Sequence, residues 1–305
     1  MDIDRQPRAA ACGIGTAGCG AAARVLRATC QSTFALIACL AVVEAANAQA
    51  PTNWTRCENQ ARTFSPDGVI AACTSLIQSG KEPQRNRAMA HLNRGIAYHN
   101  KGNYDAAITD YSRSIELYPK LANAYNNRGA AYKDKGDYDR AMADYNKAIE
   151  VDPKFLYTYI NRGVAYKDKD NNEQAIADFT RAIEIDPRYA LAHKKRGEAY
   201  GDTKEYEQAI VDFTKAIEVD PEDPELYNDR AWAYVLGGNA GKGLADAEKS
   251  LELHPDDAHA LDTRGSILEA LGRRQDAIAD FQRALAKDPN IQNSRNALKR
   301  LGVSQ

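Results

Sequence analysis

Residues 126–153 read NNRGAAYKDKGDYDRAMADYNKAIEVDP, and much of this stretch returns thirty-four residues later, from Asn161, as NRGVAYKDKDNNEQAIADFTRAIEIDP. Glycines in register with the NRG triplet recur at spacings of thirty-four residues or a multiple of it. They are Gly95, Gly129, Gly163, Gly197 and Gly265, and Ala231 fills the one missing place. Six units of 34 residues therefore begin at Ala88, Ala122, Leu156, Ala190, Pro224 and Ala258.

The spacing of apolar residues predicts two helices in every unit. Within a unit, positions are numbered 1 to 34; positions 4, 8 and 11, and then 20, 24, 27 and 28, are separated by three, four and seven residues. Each set forms one apolar stripe on a helix. Gly102 and Gly136 mark the end of first helices, and a proline at position 32 ends each second helix. One such hairpin cannot bury both of its faces, but stacked hairpins can.

The residues at the recurring positions carry a family resemblance. Position 11 is Tyr in five units, position 20 is Ala in five units and position 24 is aromatic in five units. Over residues 88–291 this pattern resembles the tetratricopeptide repeat, whose period is 34 residues. The resemblance implies an all-α fold, an α-α superhelix (solenoid) of six helical hairpins, with a groove lined by the first helices.

The resemblance and the flanking sequence together define the domain organisation. Residues 1–48 are expected to be an N-terminal extension with a signal peptide, and 49–87 a partial repeat-like capping hairpin with a linker. The six repeats are then expected at 88–121, 122–155, 156–189, 190–223, 224–257 and 258–291. Residues 292–305 are expected to form a C-terminal capping helix and tail, because QNSRNALKRL, from Gln292, has helix-forming composition.

The N-terminus predicts export. TFALIACLAVV, residues 33–43, contains no charge, follows Arg24 and Arg27, and is followed by Ala46-Asn47-Ala48. This order is typical of a secretory signal, and eleven apolar residues are too few to span a bilayer. We expect cleavage after Ala48 and a periplasmic or secreted protein. A lipoprotein anchored through Cys39 is the alternative, because residues 36–39 read LIAC.

Two cysteines lie beyond the N-terminal segment, Cys57 and Cys73. Counted back along the incomplete copy that precedes the first unit, they fall at positions 8 and 24, which face each other across a hairpin. In an exported chain a disulfide is expected there. It closes a loop of about 15 residues and stabilises by roughly 3 kcal/mol.

Composition argues against several function classes. The formal net charge is -2 and the pI is about 6.2, so no basic field favours nucleic acid. The five histidines are scattered, and no nucleophile stands at a recognisable spacing from a base. The string HPDDAH, residues 254–259, is interpreted as a solvated loop, and GGNAGKG, residues 237–243, as a repeat turn. We therefore expect no enzyme activity, no cofactor and no metal site.

One charged pattern is invariant within the chain. Position 7 is Arg and position 23 is Asp in all six units. These positions lie at similar heights in an antiparallel hairpin, which predicts a row of ion pairs. The sequence leaves open whether each pair forms within a unit or across the boundary to its neighbour.

The resemblance implies that a peptide or protein segment binds in the groove through positions 2, 5, 6, 9, 12 and 13. Position 6 is Asn in three successive units, which is similar to the asparagine ladder of O-linked N-acetylglucosamine transferases, whose amides hold a peptide backbone. Asn at this position also fits repeat structure alone. The two-carboxylate clamp of heat-shock co-chaperones does not carry over, because it needs Lys at position 5 with Asn at position 9. The candidate peptide-binding residues are Asn93, Asn127, Asn161, Lys195, Asn126, Lys194, Met89, Leu92, Ile96, Tyr157, Ile160, Val164 and Trp232.

The sequence thus predicts a non-enzymatic interaction scaffold of the bacterial cell envelope that binds a protein or peptide partner in this groove. The alternative is a structural subunit of an envelope assembly or secretion complex that uses its convex face and its ends. The fifth unit is expected to be the softest part, because it combines Ala247 at position 24 with several glycines. Partner identity and oligomeric state stay open.

Overall fold

The structure, a computed structural model, describes residues 52–59 and 62–303. The predicted signal sequence, its cleavage site after Ala48 and the candidate lipidation site Cys39 lie outside these residues. Within the described part every regular element is helical and no strand occurs. A 3₁₀ turn at Ala240–Gly243 precedes the twelfth α-helix.

The α-helices are numbered in chain order. They are α1 Asn53–Glu58, α2 Pro66–Ser79, α3 Gln84–Asn100, α4 Tyr104–Leu117, α5 Ala122–Asp134, α6 Tyr138–Val151, α7 Leu156–Lys167, α8 Asn172–Ile185, α9 Ala190–Asp202, α10 Tyr206–Val219, α11 Pro224–Leu236, α12 Leu244–Leu253, α13 Ala258–Ala270, α14 Arg274–Lys287 and α15 Gln292–Arg300. Helix α3 begins four residues before the register of unit one starts at Ala88, with Pro83 before its first residue.

Consecutive helices pack as stacked antiparallel hairpins. The first helix of each unit contacts its own second helix, and that second helix contacts the first helix of the next unit. Successive first helices also contact one another, whereas no two second helices do so in the described chain. The first helices therefore form the inner layer and the second helices the outer layer. This arrangement confirms the predicted all-α superhelix.

A glycine at position 8 allows an aromatic ring to lie directly against the first helix. A Cβ on Gly163 would lie 2.6 Å from Cε1 of Phe179, and a Cβ on Gly95 would lie 2.6 Å from Cε1 of Tyr111. Both rings are buried. Such an approach leaves no room for a methyl group, so the glycine and the ring form one packing unit.

Unit five fills the same space with smaller residues. Ala231 at position 8 packs with Ala247 at position 24, and Ile267 of the next first helix joins them in one buried cluster. A Cβ on Gly243 would lie 2.9 Å from the backbone oxygen of Ala231, so the two helices approach closely at this point. The second helix of this unit, α12, has ten residues. The other five second helices have fourteen.

Position 15 has a left-handed backbone in every unit. Gly102 and Gly136 have φ of 72° and 80°, as the predicted ends of first helices require. Asp170 and Lys204 occupy the same position in units three and four with φ of 58° and 65°. A side chain in this region costs free energy that glycine avoids.

Every Arg–Asp pair of the row forms within its own unit, and most of the arginines also donate to a residue of the preceding hairpin. In unit three, Arg162 donates from Nε and Nη2 to the two carboxylate oxygens of Asp178, at 2.8 and 2.6 Å. The same two-point pairing occurs in all six units. Nη1 of Arg162 also donates to Oδ1 of Asn146, at position 25 of unit two, at 2.5 Å. The arginines of units one, two, four and five donate in the same way to the residue at position 25 of the hairpin that precedes them. Four of these arginines therefore join two neighbouring units, and Arg94 joins unit one to the N-terminal capping hairpin.

Both ends of the array are covered. A disulfide joins Cys57 of α1 to Cys73 of α2, with Cα atoms 4.8 Å apart, and both cysteines are fully buried. At the other end, Leu298 and Leu301 pack against Phe281 of unit six. Helix α15 thus covers the apolar surface that a seventh unit would cover.

Candidate binding groove

The inner face is the surface that positions 2, 5, 6, 9, 12 and 13 of the first helices present. It is traced by side-chain contacts that join one first helix to the next. Nζ of Lys133 in α5 lies 3.7 Å from Oδ2 of Asp168, the residue that follows α7. Nζ of Lys167 in α7 lies 3.0 Å from Oδ2 of Asp202 in α9. The candidate binding residues lie between these contacts and the starts of the helices.

Three asparagine side chains form a hydrogen-bonded row across units two and three. Nδ2 of Asn161 donates to Oδ1 of Asn126 at 2.9 Å, and Nδ2 of Asn126 donates to Oδ1 of Asn127 at 3.1 Å. Asn126 is only 4% exposed, so it supports the two outer amides from beneath. Among the described residues, none accepts from Nδ2 of Asn127 or donates to Oδ1 of Asn161. The row therefore ends in one available donor and one available acceptor.

The observed row differs from the predicted ladder, in which three amides at position 6 were equivalent. Asn127 and Asn161 are linked through Asn126, which is at position 5 and not at position 6. Asn93 occupies position 6 of unit one and is not part of the row. Sequence alone could not reveal the link, because it depends on how unit three rotates against unit two.

The apolar candidates divide into two groups. Leu92 and Ile160 are each 1% exposed and lie in the core beneath the inner face, so the expectation that they present surface to a ligand is wrong. Position 5 points partly toward the neighbouring first helix, and a large apolar side chain there becomes buried between the two helices. The remaining apolar candidates, Met89, Ile96 and Val164, are half-buried and pack on core clusters.

Tyr157 belongs to an aromatic group at the start of α7. Its ring centroid lies 5.3 Å from that of Phe155 and 5.7 Å from that of Tyr189, both in edge-to-face geometry. Such contacts hold aromatic side chains in place. Phe155 and Tyr189 were missed by the sequence reasoning, although their shared position 34, directly before a first helix, was a signal that could have found them.

The two lysine candidates are held by acidic neighbours. Lys194 hydrogen-bonds to Glu225 of the next first helix and lies 3.8 Å from Asp229. Lys195 donates to both oxygens of Glu198 at 2.8 and 3.0 Å. Neither ammonium group is therefore free for an acidic ligand, and the carboxylates around them were not among the candidates.

Burial and hydrogen bonding shift two pKa values in this region. Burial disfavours the ammonium form of Lys194, but its hydrogen bond with Glu225 and the charge of Asp229 outweigh this and raise its pKa. For Asp229, burial is the main cause, and Glu198 and Glu225 add repulsion, so its pKa rises to about 7 despite Lys194. Trp232 lies one turn after Asp229 on α11 and is half-buried.

The described residues contain no group of three or more His, Cys, Asp or Glu that could hold a metal ion. Across the same part of the chain, no helix has the length and apolar character needed to cross a membrane.

The comparisons with known proteins agree with this architecture. Models described as "Tetratricopeptide repeat" match residues 122–155, 156–189, 190–223 and 258–291, and a model described as "TPR repeat" matches 95–136. The chain belongs to the tetratricopeptide repeat family. The first four of these matches coincide with units two, three, four and six. Tetratricopeptide repeats are typically non-catalytic modules that bind protein or peptide partners.

Solved structures show the same fold at low sequence identity. PilF of Pseudomonas aeruginosa is 16% identical, with a TM-score of 0.63, over 72% of this chain and 100% of that chain. PilW, a widely conserved type IV pilus biogenesis factor, is 19% identical, with a TM-score of 0.62, over 69% and 98%. YrrB, a repeat protein with an unusual peptide-binding site, is 21% identical, with a TM-score of 0.53, over 62% and 97%. No curated protein sequence matches the chain significantly.

Proposed function

We propose that this tetratricopeptide repeat protein is a non-enzymatic scaffold of the bacterial cell envelope, which binds an extended peptide segment along its inner face. The observation that carries the proposal is the asparagine row. Asn126 orients Asn127 and Asn161, so that one amide donor and one amide acceptor are available to a ligand. An extended peptide has unpaired backbone N–H and C=O groups that match this pair.

The surroundings of the row favour a peptide over a small polar molecule. Met89 and Ile96 of unit one, and Val164 of unit three, are half-buried apolar side chains on the same layer of helices. The aromatic group of Tyr157 stands one turn before Asn161 on α7. Partly exposed apolar and aromatic side chains beside hydrogen-bonding groups are typical of protein interaction sites.

Two observations support the envelope as the location. The disulfide between Cys57 and Cys73 is of the kind that persists in oxidising compartments. The sequence of residues 33–48 has the order of an export signal. We expect the mature chain to begin at Gln49; mass spectrometry of the exported protein should find that N-terminus, and a diacylated Cys39 would show a lipoprotein instead.

The inner face can be tested against the outer layer with matched variants. The double variant Asn127→Ala/Asn161→Ala removes the available donor and acceptor. Val211→Asp is the control, since Val211 lies on the second helix α10 with 60% of its surface exposed. Circular dichroism first shows that both variants are folded. Each is then used beside the wild-type chain to capture partners from envelope extract.

The proposal expects one partner that wild type and Val211→Asp retain and the double variant loses. Calorimetry with that partner should show a loss of about 1–3 kcal/mol, since two neutral hydrogen bonds contribute about 0.5–1.5 kcal/mol each. If Val211→Asp abolishes capture while the double variant binds normally, the chain acts instead as a structural subunit through its outer layer.

A further inference from the structure

The inner face changes chemistry between units three and four. Position 6 is Asn127 and Asn161 in units two and three, but Lys195 and Asp229 in units four and five. At position 6 the first part is therefore uncharged and suits a peptide backbone. The second part is charged, and its charge constrains the side chain that can lie there.

Five charged groups meet where α9 and α11 pack together. They are Lys194, Lys195, Glu198, Glu225 and Asp229. Two ammonium groups against three carboxylates leave a net charge of -1 on this charged cluster when all five groups are ionised. The adjoining pair Lys167–Asp202, 3.0 Å apart, adds no net charge. The charged cluster is thus one positive charge short of balance.

Asp229 is the group that lacks a close partner. Lys194 hydrogen-bonds to Glu225, and its Nζ is 3.8 Å from Oδ2 of Asp229. No group in the described part of the chain donates a hydrogen bond to the Asp229 carboxylate. The raised pKa of about 7 means that a proton balances the charged cluster in part of the free molecules near neutral pH. A cation from a ligand can take the place of that proton.

Exposure shows which charges a ligand meets. The side chains of Lys194 and Lys195 are 14% and 23% exposed, whereas Glu225 is 74% exposed. The two lysine side chains are therefore mostly covered, and Glu225 is the most exposed charged side chain of the cluster. The two ammonium groups also disfavour a divalent metal ion, which would bring two positive charges beside them.

Trp232 supplies a further contact for a cation. Trp232 follows Asp229 by three residues and Glu225 by seven, so the three lie on one stripe of α11. Several tyrosine rings have an internal cation over them, such as Arg140 over Tyr132 at 4.5 Å, but no described Lys or Arg lies over Trp232. Tryptophan is the ring that binds cations best.

We propose that units four and five recognise one basic side chain, Lys or Arg, of the bound peptide, with Asp229 and Trp232 as its principal contacts. This inference rests on the proposed function, because it assumes that a peptide follows the inner face. It adds the chemistry of the partner. The peptide is uncharged where it crosses units two and three, and it carries a single positive charge where it reaches unit five.

The probe is a phage-displayed library of random dodecapeptides, selected on the full chain with its disulfide intact. We expect the enriched peptides to carry one Lys or Arg beside a stretch of uncharged residues. The best peptide is then synthesised with its basic residue and with Gln in that place. Calorimetry compares both peptides on wild type, Asp229→Asn, Trp232→Ala and the control Val211→Asp.

The basic peptide should bind Asp229→Asn about tenfold more weakly than wild type, because a charge-assisted hydrogen bond is lost. The Gln peptide should bind wild type and Asp229→Asn equally. Trp232→Ala should weaken the basic peptide more than the Gln peptide, and Val211→Asp should weaken neither. Equal losses for both peptides on Asp229→Asn would overturn the inference.

The same measurement separates this inference from the proposed function. Peptides that depend on Asn127 and Asn161, but not on Asp229, would overturn the inference and leave the function standing. Peptides that depend on Asp229, but not on the two asparagines, would support the inference and overturn recognition by the asparagine row. If the library yields no binding peptide, both proposals fail.

Discussion

Units three and five have the same hairpin fold but differ in their cores and on their inner faces. In unit three the ring of Phe179 lies against Gly163 of the same unit. In unit five Ala231 and Ala247 leave that space to Ile267, which comes from unit six. The core of unit three is filled by its own aromatic residue, whereas the core of unit five is completed by a residue of unit six.

The difference shows how a repeat can lose its largest core residue and still pack. In unit five the missing aromatic volume is supplied across the boundary, so its core depends on the next unit. The expectation that unit five is the softest part of the array is thereby sharpened. Its stability should be coupled to unit six more strongly than the stability of unit three is coupled to unit four.

The largest expected effect tests this coupling. Phe179→Ala should lower the free energy of unfolding by about 3–5 kcal/mol, and Ile267→Ala by about 2–5 kcal/mol, because each leaves a cavity in a buried core. Urea unfolding measures the totals. Hydrogen exchange should show that Phe179→Ala loosens mainly unit three, whereas Ile267→Ala loosens units five and six together. If Ile267→Ala loosens unit six alone, the described compensation is wrong.

A smaller effect tests the glycine of unit three. Gly163→Ala should destabilise the chain by about 1–3 kcal/mol, because the added methyl group overlaps the ring of Phe179. Gly201→Ala is the matched control, since a Cβ on Gly201 of α9 meets nothing within 4 Å. It should stabilise by about 0.5–1 kcal/mol through helix propensity. Equal effects of the two substitutions would mean that the glycine–ring contact does not control packing.

On the inner face, the substitution Asp229→Asn places Asn at position 6 of unit five, where unit three has Asn161. The pKa of Asp229 is raised to about 7 in the folded chain, so folding binds a proton that the unfolded chain releases above pH about 4. The stability of the wild type should therefore fall between pH about 4 and 7. The variant should be more stable above pH 7, by on the order of 1 kcal/mol for this partly exposed group. Urea unfolding at pH 4 and pH 8 checks this, and a constant difference between the proteins would contradict it.

The smallest single effect is that of Lys204→Gly at position 15 of unit four, where unit five has Gly238. Lys204→Gly should stabilise the chain by about 1 kcal/mol or less, because glycine relieves the left-handed strain but gains chain entropy on unfolding. Gly238→Ala, with φ of 75° and open space around it, should destabilise by about 1–2 kcal/mol. Thermal unfolding of both variants checks the signs, and matching signs would refute the strain argument.

The sequence predicted many of the residues of the candidate site, but it did not predict the contacts between them. Position 6 identified Asn127 and Asn161, whereas their link through Asn126 depends on the rotation between units. Leu92 was expected on the inner face and is buried, because the side chain at position 5 turns toward the next first helix. The sequence showed that Asp229 occupies position 6 of unit five, but it could not show that its carboxylate lacks a close hydrogen-bond donor.

The sequence by itself determined the period, the helical hairpins and the pairing of positions 7 and 23, because these follow from local spacing repeated six times. A residue such as Gly163 must be small wherever an aromatic ring at position 24 packs against it, and both residues can be identified from the sequence of a single unit. Only the tertiary structure decided what happens at the boundaries between copies. Ile267 of unit six packs into the core of unit five, and Arg162 of unit three donates to Asn146 of unit two. Lys194 hydrogen-bonds to Glu225, so Asp229 is left without a close hydrogen-bond donor. These contacts could not be predicted, because they depend on how far each hairpin is displaced and rotated relative to the preceding one.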